Sequence, residues 1–255
     1  MKVSVLASGS KGNCTYIETL ENNILIDIGL TSLAIEKRLM MLGINPSIIN
    51  AILITHTHVD HISGLKVFIK KYHPKVYLTE KMYNDLTDII KEEDIEFIND
   101  DFSLNDTRIQ IIKTSHDVTD SNGYILTNND KSIVYITDTG YINQKNYSKL
   151  KNHNVYIFES NHDIDKLRHG KYPYHLQQRI LGDEGHLSNK DSSYYLSNFI
   201  GDKTTNIILA HLSEENNTEE LAYKTLIETL KKYDKSVDKI EIAKQDKEMD
   251  LIEIW

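Results

Sequence analysis

Residues 56 to 61 read His-Thr-His-Val-Asp-His, placing three histidines and an aspartate in six consecutive positions, one residue past the apolar run Ala51-Ile52-Leu53-Ile54. A short apolar run of this kind, rich in β-branched residues, is the pattern of a buried strand. On a chain leaving a strand the side chains alternate, so His56 and His58 point to one side and both imidazoles can reach one point in space. Asp60 and His61 lie beyond, where the turn can aim them at a second point close by. A loop of solvated histidines with no shared task is the competing account, and it does not explain their register behind a buried strand. The pattern predicts a fold that brings two neighbouring metal ions to a strand end. Neutral imidazole and carboxylate donors suit zinc, manganese or iron.

The remaining chain supplies further donors in the same setting. His116 in KTSHD, Asp138 in YITDTG and His211 in ILAHLS each follow a β-type run. Each alone reads as a turn residue; with the cluster they make seven candidate ligands. Strands are expected at 2–6, 14–18, 23–27, 51–54, 76–78, 95–98, 108–114, 123–127, 132–136, 154–158, 205–209, 239–242 and 251–254. Three- and four-residue spacing predicts helices over 33–42, 62–72, 81–90, 174–181, 189–200 and 219–233. For the last of these, Asn217 with Glu220 three residues on resembles a capping box. The order of strands, helices, strands, helices in two similar halves points to two facing mixed sheets with helices outside, in one domain spanning residues 1–255.

The lone Cys14 cannot form an internal disulfide and is a poor basis for a thiolate metal knuckle, so any metal must rely on His and carboxylate. No stretch approaches a membrane span, and the N-terminal segment has no leader pattern, which points to the cytoplasm. With 29 Lys+Arg against 38 Asp+Glu the net charge is -9, so a polyanion would have to be held locally.

THTHVDH followed by a later His, Asp and His in this order resembles the metallo-β-lactamase superfamily. That resemblance implies an αββα sandwich in which His56, His58 and His116 hold one metal, Asp60, His61 and His211 hold the other, and Asp138 bridges them. Asp27, after Ile24-Leu25-Ile26, matches an outer carboxylate that orients the cluster. Phe158-Glu159-Ser160 stands where tRNase Z-like members carry a His-Glu pair, and Gly185-His186-Leu187-Ser188 resembles their Gly-His segment. The resemblance makes His186 the general acid or phosphate contact, with Glu159 orienting it.

Three segments, ASGSKGNCT near the start, 159–189 and LAHLSEENNT, look like the YycJ/WalJ-type nuclease branch, which implies a 5′→3′ DNA exonuclease in which activated water attacks phosphorus. DNA is expected over RNA, with no membrane partner. About seventy residues separate Asp138 from His211, too few for the inserted domain of ribonuclease J-type enzymes, and the long arm of tRNase Z-like enzymes has no counterpart. Lys166, Arg168, Lys171 and Arg179, interleaved with Tyr and His and free of intervening acids, can meet phosphates while the aromatic faces stack bases; a solvated surface loop is the competing account. Ser8, Ser10 and Asn13, in a Gly-bearing turn, offer hydroxyls and backbone donors to a terminal phosphate. The alternative reading is a small-molecule phosphodiesterase of the PhnP type.

Overall fold

Runs of Ile, Leu and Val bounded by Gly, Asn or Asp make strands that can be buried on both faces. The computed structural model describes residues 1–254, and among them such runs form two seven-stranded mixed sheets. The first holds β1 (Lys2–Ala7), β2 (Cys14–Glu18), β3 (Asn23–Ile26), β4 (Ala51–Leu53), β5 (Lys75–Leu78) and β6 (Ile95–Phe97) in that spatial order. Pairing is antiparallel from β1 to β3 and parallel from β3 to β6. The second holds β7 (Phe102–Leu104), β8 (Thr107–Lys113), β9 (Asn122–Asn128), β10 (Lys131–Ile136), β11 (Val155–Glu159), β12 (Asn206–Ala210) and β13 (Lys239–Ile242). It is antiparallel as far as β10 and parallel from there on. A last strand, β14 (Ile252–Glu253), returns to pair with β1.

Alternation along the strands sorts side chains into three apolar layers. Ile24, Ile26 and Leu53 meet Leu126, Tyr135, Ile157 and Ile208 between the sheets. Leu25 and Ile52 face outward onto α1 (Ser32–Met41) through Ile35 and Leu39, while Phe68 of α3 (Leu65–Tyr72) and Met82 of α4 (Glu80–Asn84) complete that layer. On the far side Val134, Tyr156 and Leu209 pack against Leu196 and Phe199 of α7 (Asn189–Phe199) and Leu226 of α8 (Glu219–Lys232). The result is the expected αββα sandwich. No helix among the described residues is long and apolar enough to cross a membrane.

Several local expectations need correction. The helix expected over 81–90 stops at Asn84, because Asn84, Asp85, Thr87 and Asp88 are poor helix formers and the chain continues in turns that still bury Leu86 and Ile90. Strand β7 was not anticipated, nor was α5 (Ile164–His169), a short helix that buries only Leu167 and is started by Asp163 accepting from the Lys166 amide at 2.9 Å. Within the His/Asp cluster, Asp60 and His61 lie on the single helical turn α2 (Val59–Ile62), N-terminal to the expected helix start at 62. At α8 the cap is Thr218, accepting from the Leu221 amide at 3.1 Å, rather than Asn217. Asn217 is buried, and its amide donates to the carbonyls of Ser160 and Asn161.

Candidate metal centre

Parallel pairing sets the ends of β3 and β4 on one edge of the first sheet, and the ends of β8, β10, β11 and β12 lie on one edge of the second; the two edges meet. Open α/β sheets bind ligands at such carboxyl ends. Three residues there leave their strands in the left-handed region: Asp27 at φ 61°, Asp138 at φ 55° and His211 at φ 56°. Asp and His tolerate this backbone better than branched residues, and the kink turns each side chain off the sheet and into the seam.

His56, His58 and His116 converge. His58 Nδ1 lies 3.2 Å from His56 Nε2 and 3.3 Å from His116 Nε2. The opposite ring atoms decide the tautomers. His116 Nδ1 faces the Gly185 carbonyl at 3.2 Å and must donate to it. The Thr55 hydroxyl donates to Asp27, so it can accept from His56 Nδ1, 3.1 Å away. Both Nε2 lone pairs therefore aim at His58, and one ring proton cannot satisfy two acceptors in this geometry as a cation would. Burial, followed by the neighbouring imidazoles, holds His56 well below the usual histidine range, which keeps it in the neutral, ligating form.

The second group is Asp60, His61 and His211. His61 Nε2 lies 3.6 Å from Asp60 Oδ2, and His211 Nε2 lies 3.9 Å from the same oxygen. Asp27, fully buried, accepts from the Thr55 amide and hydroxyl, each at 2.8 Å, and from His61 Nδ1 at 2.8 Å, which fixes the ring and turns the Nε2 lone pair toward the seam. Asp138 stands between the groups, 3.4 Å from both His61 Nε2 and His211 Nε2 and 3.9 Å from His116 Nε2. Asp138 Oδ2 and His211 Nε2 are buried without any hydrogen-bond partner. Orphaned atoms of this kind are costly unless something else occupies them. Burial opposes charge on His61 and His211, but the surrounding carboxylates outweigh it and raise both. The donor set thus fits two divalent cations.

Glu159, fully buried at the end of β11, holds His186 Nδ1 at 2.7 Å and His211 Nδ1 at 3.3 Å, while its other oxygen accepts from the Thr139 and Leu187 amides. Burial alone would push this carboxyl up; the two imidazoles hold it below the usual range. His186, partly exposed, stands 3.7 Å from Asp138 Oδ1. Its ring centroid lies 5.0 Å from that of His116.

The residues expected to meet substrate divide. Ser10, Arg168 and Lys171 are exposed. Ser8 is buried, its Oγ accepting from the His211 amide at 2.7 Å. Asn13, also buried, bonds to both backbone groups of Gly9, and its Nδ2 lies 3.0 Å from His61 Nε2; it is built into the site wall and is not presented to solvent. Lys166 turns back toward the Asn217 carbonyl, and Arg179 is paired with Asp117. Sequence reasoning passed over Thr55, which links Asp27 to both His56 and His61, although it opens the quoted cluster. It also passed over Asp117, next to His116, and Asn161, whose amide donates to the His211 carbonyl at 3.0 Å.

Comparison with known proteins identifies the family. A family model for the β-lactamase superfamily domain matches residues 22–197. Exodeoxyribonuclease YycJ of Bacillus anthracis is 38% identical over 232 residues, covering 89% of this chain and 88% of that one. Exodeoxyribonuclease WalJ of Streptococcus pneumoniae is 37% identical over 243 residues, covering 92% and 90%. The solved metallo-β-lactamase fold protein YhfI from Bacillus subtilis superposes with a TM-score of 0.75 at 16% identity, over 97% of this chain and 98% of that one. The chain is a member of the metallo-β-lactamase superfamily of metal-dependent hydrolases, related to the YycJ and WalJ exodeoxyribonucleases.

Proposed function

We propose that this protein is a metal-dependent phosphodiesterase of nucleic acid, an exonuclease that shortens DNA from its 5′ end, with residues 1–255 working as one catalytic domain. One observation carries the reading: two groups of N and O donors share Asp138 and stand beside a histidine already aimed by a buried glutamate. His56, His58 and His116 would hold one cation and Asp60, His61 and His211 the other, with Asp138 common to both. Zinc or manganese suits these donors, and iron is accepted by them. Such a pair, when bound, acidifies a water and neutralises charge on a transferring phosphoryl group.

The chain's own residues do the rest. Asp27 acts through His61, fixing its ring so that Nε2 faces the seam. Glu159 holds His186 by Nδ1, leaving Nε2 to pass a proton to the departing oxygen, and its carboxylate stabilises the charged ring. Ser10, Arg168 and Lys171 are available to backbone phosphates, whereas Ser8, Asn13 and Lys166 serve inside the protein. Similarity over about nine tenths of the chain to proteins named exodeoxyribonucleases supports DNA over RNA and over small phosphodiesters.

The test is incubation of the Mn- or Zn-loaded protein with 5′-phosphorylated single-stranded and duplex DNA. Stepwise release of nucleotides from the 5′ end is expected. If neither metal supports release while an aryl phosphodiester is turned over quickly, the protein is a small-molecule phosphodiesterase instead.

A further inference from the structure

Beside the first donor group lies a carboxylate with no role in the reading above. Asp117 follows His116, and its Oδ1 is buried without a hydrogen-bond partner, 3.5 Å from His116 Nε2 and 3.9 Å from His58 Nε2. A bare anion there would repel an incoming phosphodiester. The other oxygen, Oδ2, receives both Nε and Nη2 of Arg179, a side chain 56% exposed. Nη1 has no hydrogen-bond partner among the described residues, which leaves the outer edge of this exposed guanidinium open.

Arg179 is carried on α6 (Tyr174–Leu181), a helix with no buried residue, yet its base is anchored. The next residue, Ile180, accepts at its carbonyl from the His186 amide at 3.0 Å. A Cβ at Gly140, two residues past Asp138, would come 2.2 Å from the Asp183 carbonyl oxygen, so the end of α6 is pressed against the loop that follows Asp138. The guanidinium is thereby tied to the same frame as His186. Arg168 and Lys171, of the same basic stretch, have no carboxylate partner among the described residues, which sets Arg179 apart.

We infer that Arg179 is a substrate-binding residue, held in waiting by Asp117 over the His56/His58/His116 group, and that a backbone phosphate of the nucleic-acid strand takes the open edge of its guanidinium when substrate enters. Asp117 is the positioning residue: it keeps the planar fork oriented, and the fork masks its charge. Phosphate is the matching ligand because the fork offers paired N–H donors at the spacing of two phosphate oxygens. This inference rests on the nuclease reading. The competing account is a latch that merely holds α6 down.

The test uses the metal-loaded full chain and a 5′-phosphorylated single strand, measuring KM and kcat, and measuring binding of a phosphorothioate analogue by fluorescence anisotropy across a KCl series. Arg179→Ala is expected to raise KM about ten- to a hundredfold, the loss of one charge-assisted contact, with kcat changed far less. The slope of log affinity against log salt should fall by about 0.7, one phosphate contact on a single strand. Arg179→Lys should restore that slope but only part of the KM, since an ammonium is a point charge and not a fork. Asp117→Asn should keep metal content and the salt slope while raising KM. An unchanged KM and salt slope in Arg179→Ala, or a fall in melting temperature alone, would leave only the latch. Failure of the wild type to bind or cleave any strand would instead remove the nuclease reading itself.

Discussion

Glu159 is where the two parts of the site are joined, because one buried carboxylate holds both His186 and His211. His186→Ala removes a proton donor but no proposed ligand, so metal content should stay at wild-type level while the rate falls by roughly 10²–10⁴. Asp138→Asn removes the shared oxygen donor, and metal content and rate should collapse together. Metal analysis after dialysis, run beside an activity assay, separates these outcomes; equal metal loss in both variants would overturn the role given to His186. Away from the site, His153 is half-buried, with Nε2 donating to the Lys149 carbonyl at 2.7 Å and Nδ1 2.8 Å from the Ser132 hydroxyl. Burial, helped by Lys203, holds its pKa below 6.5. Below pH 6.5 the unfolded chain binds this proton more readily than the folded one, so the contribution is complete above 6.5 and is lost as pH falls through the lowered folded value. Urea midpoints of wild type and His153→Gln at pH 7.5 and 5.5 should therefore show a steeper acid loss in the wild type.

Turns at strand ends, more than the strands themselves, build the site. Asp27, Asp138 and His211 use the left-handed region to leave their sheets, and no periodicity in the sequence announces that backbone. Helices α1, α3, α7 and α8 were legible because their apolar spacing is regular. The stretch after Asn84 was misread because the same apolar spacing persists where Asp and Thr favour turns. Packing between elements leaves little slack beside Asp138. In Gly140→Ala the new methyl would meet the backbone of Asp183, and the expected cost is about 1–3 kcal/mol. The displaced segment carries His186, so activity should fall further than stability predicts. A crystal structure of this variant with Glu159 and His186 undisturbed would refute the coupling. Thr218→Ala, which removes the α8 cap but no proposed ligand, should cost about 1 kcal/mol in urea titrations and leave metal content unchanged.

Across the whole molecule, the donors come from both sheets. His56, His58, Asp60 and His61 belong to the first half, and His116, Asp138 and His211 extend from the second. Bound cations would therefore clamp the two sheets at one edge, while the inner apolar layer of Ile24, Leu53, Ile157 and Ile208 holds them along their length. An ion at a thousand times its dissociation constant adds about 4 kcal/mol to the folded state. Removing the metals with a chelator should lower the melting temperature by on the order of 10 °C without unfolding the protein at 25 °C, and adding Mn or Zn back should restore it. A melting temperature indifferent to chelation would mean that the donors do not hold ions in the folded protein.

Local spacing was enough to nominate the candidate donors. Side-chain alternation after a buried strand places His56 and His58 together, and the chemistry of imidazole and carboxylate follows from residue type. Which distant residues would complete each group was a matter of resemblance, because sequence separation says nothing about where strand ends meet. Tertiary structure alone showed that Asn13 and Ser8 are buried in the site wall, that Asn217 pins a turn instead of capping a helix, and that Asp117 faces the first three imidazoles with Arg179 on its other oxygen. These facts depend on the sheets closing on one another. Burial and hydrogen-bond partners are properties of the packed seam, and residues far apart along the chain acquire them only when the two halves meet.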